Sequence, residues 1–167
     1  MDKFLESGSA RLEHAVDTQA LGEQFGRVLR AGDVVILDGP LGAGKTTFTQ
    51  GIARGMQVKG RVTSPTFTIA RVHRSLVDGP SLIHVDAYRL LGEDDHVQSG
   101  ADALAALDSL DLDTELDQAV VVAEWGGGLV ENIAEQYIVV SFDRTTAVLA
   151  DPDSEARFIS WQLVEQK

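Results

Sequence analysis

A glycine-rich segment that follows an apolar run is the feature that most constrains the fold of this chain. Residues 39–46 read GPLGAGKT and match the pattern GxxxxGK[ST], directly after the apolar run VVIL at residues 34–37. Several backbone N–H groups must turn toward one pyrophosphate there, and a Cβ at the tightest positions, Gly39, Gly42 and Gly44, would block them. The pattern therefore predicts a strand, a phosphate-binding loop and a helix whose N-terminus faces the phosphates.

The residues of this loop have separate predicted roles. Lys45 would place a positive charge on the outer phosphates, and the Thr46 hydroxyl would bind Mg²⁺, which prefers oxygen ligands. The predicted nucleotide-binding residues of the loop are Leu41, Gly42, Ala43, Gly44, Lys45, Thr46 and Thr47. The alternative, a glycine-rich turn with a solvent-exposed lysine, does not account for the strand and helix patterns on either side.

Length and composition set the outer bounds. The 167 residues and 44% hydrophobic content predict one domain over residues 1–167, and the lack of cysteine excludes thiol chemistry. The chain opens without a basic and apolar leader, and no apolar run approaches the ~20 residues that cross a bilayer. We therefore expect a soluble cytoplasmic protein without a membrane partner.

The charge is strongly negative and unevenly distributed. The net charge is −12, and residues 90–123 carry nine carboxylates and no Lys or Arg, so this stretch should repel nucleic acid. It is interpreted either as a solvated acidic face or as a docking surface for a basic partner. A local positive face is possible after the phosphate loop, at Arg54, Lys59, Arg61, Arg71 and Arg74.

The hydrophobic period alternates between helical and strand-like, which predicts an α/β sheet. A first helix with Asp17 or Thr18 as N-cap precedes the strand at 34–38, and the phosphate-loop helix is expected to run to about Arg54 and to stop at Gly55. Further strands are predicted near residues 67–72, 81–85, 120–124, 137–142, 147–150 and 158–163, with helical material between 93 and 116. The short C-terminal strands alternate, which favours an antiparallel extension of a mostly parallel central sheet.

Two of the apolar strands end in a carboxylate, Asp86 and Glu124. Ligands of open α/β sheets lie at the carboxyl ends of the strands, so both residues would lie at the same edge as the phosphate loop. One could hold the metal or its waters while the other orients the attacking water. Each taken alone is equally compatible with a strand that ends at a solvated turn.

Four motifs together resemble the TsaE family, the bacterial ATPases of the tRNA threonylcarbamoyladenosine modification pathway. GAGKTT at residues 42–47 is similar to the phosphate loop of the family, and SPTFT at 64–68 matches its switch-like segment. HVDAYRL at 84–90 resembles the HFDxYRL motif of the family, and Glu124-Trp125 its EW pair. Order and approximate spacing also agree, so the resemblance covers residues 16–144.

The resemblance implies a P-loop NTPase fold, with helices on both faces of the sheet, that hydrolyses ATP with Mg²⁺. It implies Lys45, Asp86 and Glu124 as catalytic residues and Thr46, Glu124 and Asp86 at the metal, with the roles of the two acids left open. Thr66 is a candidate sensor of the terminal phosphate. Trp125 either stacks on the base or belongs to the core, and Arg144 is either a nucleotide contact or a surface residue. His84, inside an apolar strand, is interpreted as a satisfied core residue.

Partners are implied by the resemblance and not by the composition. The family acts with TsaD and TsaB, which transfer threonylcarbamoyl to tRNA, so tRNA would be engaged only through the complex. A small-molecule kinase is the alternative enzyme, and phosphoryl transfer to a metabolite would distinguish it. A GTPase is disfavoured because the single asparagine, Asn132, is followed by Ile133 and not by the lysine of an NKxD motif. A non-enzymatic nucleotide-binding module would lack turnover.

Overall fold

The computed structural model describes residues 3–39, 44–60, 70–86, 118–124, 136–143, 145–153 and 156–165. These residues form an α/β structure with a seven-stranded sheet. In chain order its elements are α1 (Lys3–Glu6), β1 (Ser7–Leu12), α2 (Ala15–Val28), β2 (Val34–Asp38), α3 (Lys45–Met56), β3 (Ala70–His73), β4 (Ser81–Asp86), β5 (Ala119–Glu124), β6 (Gln136–Asp143), α4 (Thr145–Ala150) and β7 (Arg157–Glu165).

The sheet has the strand order β1-β7-β6-β2-β5-β4-β3. Its four central strands, β6, β2, β5 and β4, are parallel to one another. The flanking pairs β1–β7, β7–β6 and β3–β4 are antiparallel. The prediction of a mostly parallel centre with an antiparallel C-terminal extension is confirmed. The strand at 137–142, predicted as part of the extension, is instead parallel to β2 and belongs to the centre, and the extension consists of β7 together with β1 from the beginning of the chain.

One face of the sheet packs against α2 and α3 and forms the main core. Phe25 of α2 contacts Phe48 of α3 and Trp161 of β7 edge to face, with ring centroids 5.1 and 5.2 Å apart. Side chains of the parallel strands complete this core, among them Val35 and Val122. Residues of β2, β4 and β5 that alternate with them are buried as well: Val34, Ile36, Ile83, Val85, Val121 and Ala123. Burial on both faces explains why these strands read as continuous apolar runs.

The contact between α2 and α3 depends on glycines on both helices. A Cβ on Gly22 would collide with the carbonyl oxygen of Phe48, and one on Gly51 with that of Gln19. The prediction that α3 stops at Gly55 is wrong, because Gly55 lies inside this contact and the helix continues to Met56. The C-cap that follows Met56 is Gln57. Its backbone has a left-handed φ of 58°, a conformation that glycine usually adopts at the end of a helix.

The start of α2 also differs from the prediction. The N-cap is His14, and Asp17 lies three residues further on, where its carboxylate accepts a hydrogen bond from the His14 backbone N–H at 3.1 Å. This is the acidic half of a capping box. Thr18, the other predicted N-cap, lies in the buried part of the helix.

The predicted strand at residues 147–150 is wrong, since this segment lies in α4. The Asp143 carboxylate at the end of β6 accepts hydrogen bonds from the backbone N–H of Thr146 at 3.2 Å and from its hydroxyl at 2.6 Å. A side-chain acceptor at this position starts a helical turn, which a count of apolar residues does not reveal. The predicted helices between 93 and 116, and residues 67–69 of a predicted strand, lie outside the described residues. In the part of the chain that is described, no helix is long and apolar enough to cross a membrane.

Candidate nucleotide-binding site

The N-terminus of α3 has the local features of an anion-binding position. Gly44 is its N-cap and has a φ of 104°, a conformation that side chains of L-residues rarely adopt. Lys45 and Thr46 are the first helical residues and are half-buried, and the first turn contains no acidic residue. The free N–H groups and the positive end of the helix dipole at this point favour a negatively charged ligand.

Gly39 is required for a reason that the motif does not give. A Cβ at this position would lie 2.9 Å from the Cβ of Phe142 and 3.0 Å from its carbonyl oxygen. The chain that leaves β2 therefore passes directly against β6, and only glycine permits this approach. The sequence alone attributed the glycine to phosphate contact.

The two strand-end acids lie at the same edge of the sheet, as the strand pattern predicted. Asp86 of β4 and Glu124 of β5 are register partners, and Glu124 is also the partner of Leu37 in β2. The carboxyl ends of β2, β4 and β5 therefore lie at one edge of the sheet, which carries both acids. The order of the strands places Glu124 nearer to β2, with Asp86 one strand further away.

A histidine contacts one of these acids. The Nε2 atom of His84 lies 3.3 Å from Oε1 of Glu124; His84 is fully buried and Glu124 is 9% exposed. Within the described structure, Nδ1 of His84 has no hydrogen-bond partner. The prediction that His84 is a satisfied core residue is confirmed for its burial but not for its Nδ1 atom. The residue also bonds to a predicted site residue, which the strand pattern did not indicate.

Two residues beside Gly44 were missed by the sequence reasoning. The Cγ2 of Thr18 lies 3.5 Å, and the Nε of Arg157 3.9 Å, from the position that a Cβ on Gly44 would occupy. Thr18 belongs to α2 and Arg157 begins β7, so they come from distant parts of the chain. No local pattern links either residue to the phosphate loop, and only the pairing of β7 with β1 and β6 brings Arg157 to this edge.

The remaining predicted site residues lie outside the described residues. They are Leu41, Gly42, Ala43, Thr66, Trp125 and Arg144. Thr47, the last predicted loop residue, follows Thr46 in the first turn of α3 and is half-buried.

The chemistry of the described residues fits a magnesium-bound nucleotide. Among these residues, no group of three or more His, Cys, Asp or Glu could hold a metal ion. Magnesium does not need such a cage, because it is usually bound by one or two protein oxygens together with phosphate oxygens and waters. Thr46 and Glu124 are oxygen donors of the right kind, and Lys45 supplies the charge that a triphosphate requires.

Comparison with known proteins decides the family. A family model described as "Threonylcarbamoyl adenosine biosynthesis protein TsaE" matches residues 12–150. The chain belongs to the TsaE family. Proteins named tRNA threonylcarbamoyladenosine biosynthesis protein TsaE are similar to it in Mycobacterium bovis, with 49% identity over 92% of this chain and 86% of that protein, and in Streptomyces coelicolor, with 50% identity over 78% and 82%.

More distant members agree with this assignment. The TsaE protein of Bacillus subtilis is 33% identical over 77% of this chain and 72% of its own length. The crystal structure of B. subtilis YdiB superimposes with a TM-score of 0.65 at 28% identity and covers 93% of this chain and 84% of the YdiB chain. The resemblance inferred from four motifs is thereby confirmed, and so is the α/β P-loop fold.

Proposed function

We propose that this chain is a Mg²⁺-dependent ATPase that acts as a switch subunit in the threonylcarbamoyl modification of tRNA. The observation that carries the proposal is the alignment of Asp86 and Glu124 on neighbouring parallel strands, beside the strand that leads to Lys45 and Thr46. A charged lysine, a hydroxyl and two strand-end carboxylates at one sheet edge are the groups that phosphoryl-transfer chemistry requires.

Each of these residues has a role in the proposed reaction. Lys45 and the N–H groups that begin α3 bind the phosphates and orient them. Thr46 and Glu124 hold the metal side of the nucleotide, and Asp86 binds a metal water or orients the attacking water. Bound Mg²⁺ supplies charge neutralisation at the phosphate oxygens. Leu41, Gly42, Ala43, Gly44, Thr47, Trp125 and Arg144 are proposed as further nucleotide contacts.

The proposed partners are TsaD and TsaB, in whose company hydrolysis would reset the modification complex between cycles. Membership of a family named for tRNA threonylcarbamoyladenosine biosynthesis supports a role in this pathway. The net charge of −12 is compatible with an indirect role toward tRNA, because an acidic chain gains little from the phosphate backbone. The proposed location of the protein is the cytoplasm.

The proposal is tested by ATPase assays of the purified chain, alone and with TsaD and TsaB. We expect Mg²⁺-dependent hydrolysis that the partners stimulate and that Lys45→Ala lowers at least about 100-fold, since Lys45 contacts the charge that builds up on the phosphates. Lys59→Ala is the matched control, because Lys59 is an exposed lysine beyond the far end of α3.

Two outcomes would contradict the proposal. Equal multiple-turnover modification rates with Lys45→Ala and with the parent chain would show that nucleotide turnover does not drive the cycle. Phosphoryl transfer from ATP to a metabolite, without a partner effect, would instead identify a small-molecule kinase, the alternative that shares the phosphate loop and the strand-end acid.

A further inference from the structure

We propose that His84 is a positioning residue that holds the Glu124 carboxylate in the orientation needed for ATP hydrolysis. This inference deepens the proposed function and rests on it. It assigns a task to a buried polar side chain that phosphate binding does not use.

The register of the sheet brings the two residues together. His84 of β4 pairs with Val122 of β5, so Glu124 lies two residues further along the neighbouring strand, on the same face. Diagonal neighbours of this kind are within reach of long side chains. This face is the one covered by α2 and α3, because Leu82, Val120 and Val122 of the same strands belong to the core beneath those helices.

The polarity of the contact follows from its chemistry. An ionised carboxylate can only accept a hydrogen bond, so Nε2 of His84 is the donor to Oε1 of Glu124. The bond occupies one oxygen of the Glu124 carboxylate, and we infer that the other, Oε2, serves the ligand. It also restricts the side-chain torsions of Glu124.

A purely structural role accounts poorly for the choice of histidine. His84 is fully buried in the apolar interior, where leucine or valine would fill the space without a polar atom. Its Nδ1 atom is buried and lacks a hydrogen-bond partner among the described residues, which is a cost to stability. The gain that offsets this cost is the contact with Glu124. In metal sites of other proteins, hydrogen-bond donors to a ligating side chain likewise fix the orientation of that side chain.

The test compares two substitutions of His84 with a matched control. His84→Gln keeps an N–H donor at about the reach of Nε2, and His84→Leu fills the space without a donor. His73→Leu is the control, because His73 is also buried and bonds through Nδ1 to the Lys59 carbonyl oxygen at 2.8 Å, at the other end of the sheet. Circular dichroism and thermal unfolding first establish that each variant is folded.

We expect His84→Leu to lower kcat for ATP hydrolysis by about 10- to 100-fold, as the loss of a supporting donor does elsewhere, and to leave KM for ATP within about 2-fold. The Mg²⁺ concentration that half-saturates binding of a fluorescent ATP analogue should rise in parallel. His84→Gln should restore most of the kcat and most of the Mg²⁺ affinity. His73→Leu should change neither quantity.

A measurement without nucleotide separates this inference from the proposed function. In a double-mutant cycle on the free chain, urea unfolding of His84→Leu, Glu124→Ala and the double variant should be non-additive if the two side chains interact. Additive effects would overturn the inference, as would unchanged kcat and Mg²⁺ dependence in a folded His84→Leu variant. If His84→Leu fails to fold, the comparison of His84→Gln with His84→Met decides in its place. If the effects are non-additive but the parent chain does not hydrolyse ATP, the contact between the two side chains stands. The proposed function and the catalytic part of this inference are then both overturned.

Discussion

The turn between α2 and β2 shows how one carboxylate responds to its surroundings. Asp33 is half-buried, and its carboxylate accepts a hydrogen bond from the backbone N–H of Arg30 at 2.7 Å. Burial raises the pKa of Asp33 above its ordinary value of 3.8, while the Arg30 hydrogen bond opposes this shift. The folded chain therefore binds the proton of Asp33 more tightly than the unfolded chain does.

The sign of this shift gives a pH-dependent prediction. A raised pKa means that ionised Asp33 destabilises the fold at neutral pH, and this cost disappears as the pH falls through the raised pKa toward 3.8. Asp33→Asn should therefore be more stable than the parent at pH 7, by less than about 1 kcal/mol because solvent screens a half-exposed group. Urea unfolding between pH 7 and pH 4 should show that the advantage shrinks.

A control separates this effect from the loss of one negative charge. Asp78→Asn removes a carboxylate from the exposed turn before β4, at a left-handed φ of 59° that Asn also tolerates. An advantage of Asp33→Asn that grows on acidification, or that Asp78→Asn reproduces, would contradict the assignment to burial.

At the scale of elements, the glycines between α2 and α3 set the position of the phosphate-loop helix. Gly51 meets the backbone of Gln19 and Glu23, and Gly55 meets that of Glu23 and Gly26. Close backbone approach replaces the side-chain layer that separates most packed helices. The site at the N-terminus of α3 is therefore held by a contact that runs along the whole helix.

Gly51→Ala tests this contact. The added methyl group meets backbone atoms that cannot rotate away, so we expect a loss of about 1–3 kcal/mol in the free energy of unfolding. Gly79→Ala is the control, because among the described residues a Cβ there would meet only the Ser75 hydroxyl at 3.4 Å and a Val77 methyl group at 4.0 Å. Its effect should stay within about 0.5 kcal/mol. Equal losses in both variants would show that the helix contact is not the cause.

The whole molecule is acidic, and this gives a prediction about nucleic acid. With a net charge of −12, the chain alone should not bind tRNA at concentrations up to about 100 µM in physiological salt. Fluorescence anisotropy of labelled tRNA at two salt concentrations would measure this. Saturable binding that strengthens as the salt is lowered would contradict it and would direct attention to the basic residues Arg54, Lys59 and Arg74.

Much of the architecture follows from local patterns. The strands at 34–38, 81–86 and 119–124 are apolar because both of their faces are buried, and apolar runs of this length between turn signals could be identified directly. The predicted elements were wrong where a side-chain hydrogen bond or a contact with a neighbouring helix decided the local structure. Asp143 starts a helix where alternation predicted a strand, and the contact with α2 carries α3 past Gly55.

The sequence by itself predicted the ligand class and determined β2, the helix α3 and the two strand-end acids, because each depends on residues close together along the chain. Tertiary structure alone decided that His84 bonds to Glu124, that Phe142 forces glycine at position 39, and that Arg157 lies beside Gly44. These contacts join residues that are 40 or more positions apart, and their distances depend on strand order and register. No local periodicity encodes that order, since it results from the burial of the whole sheet.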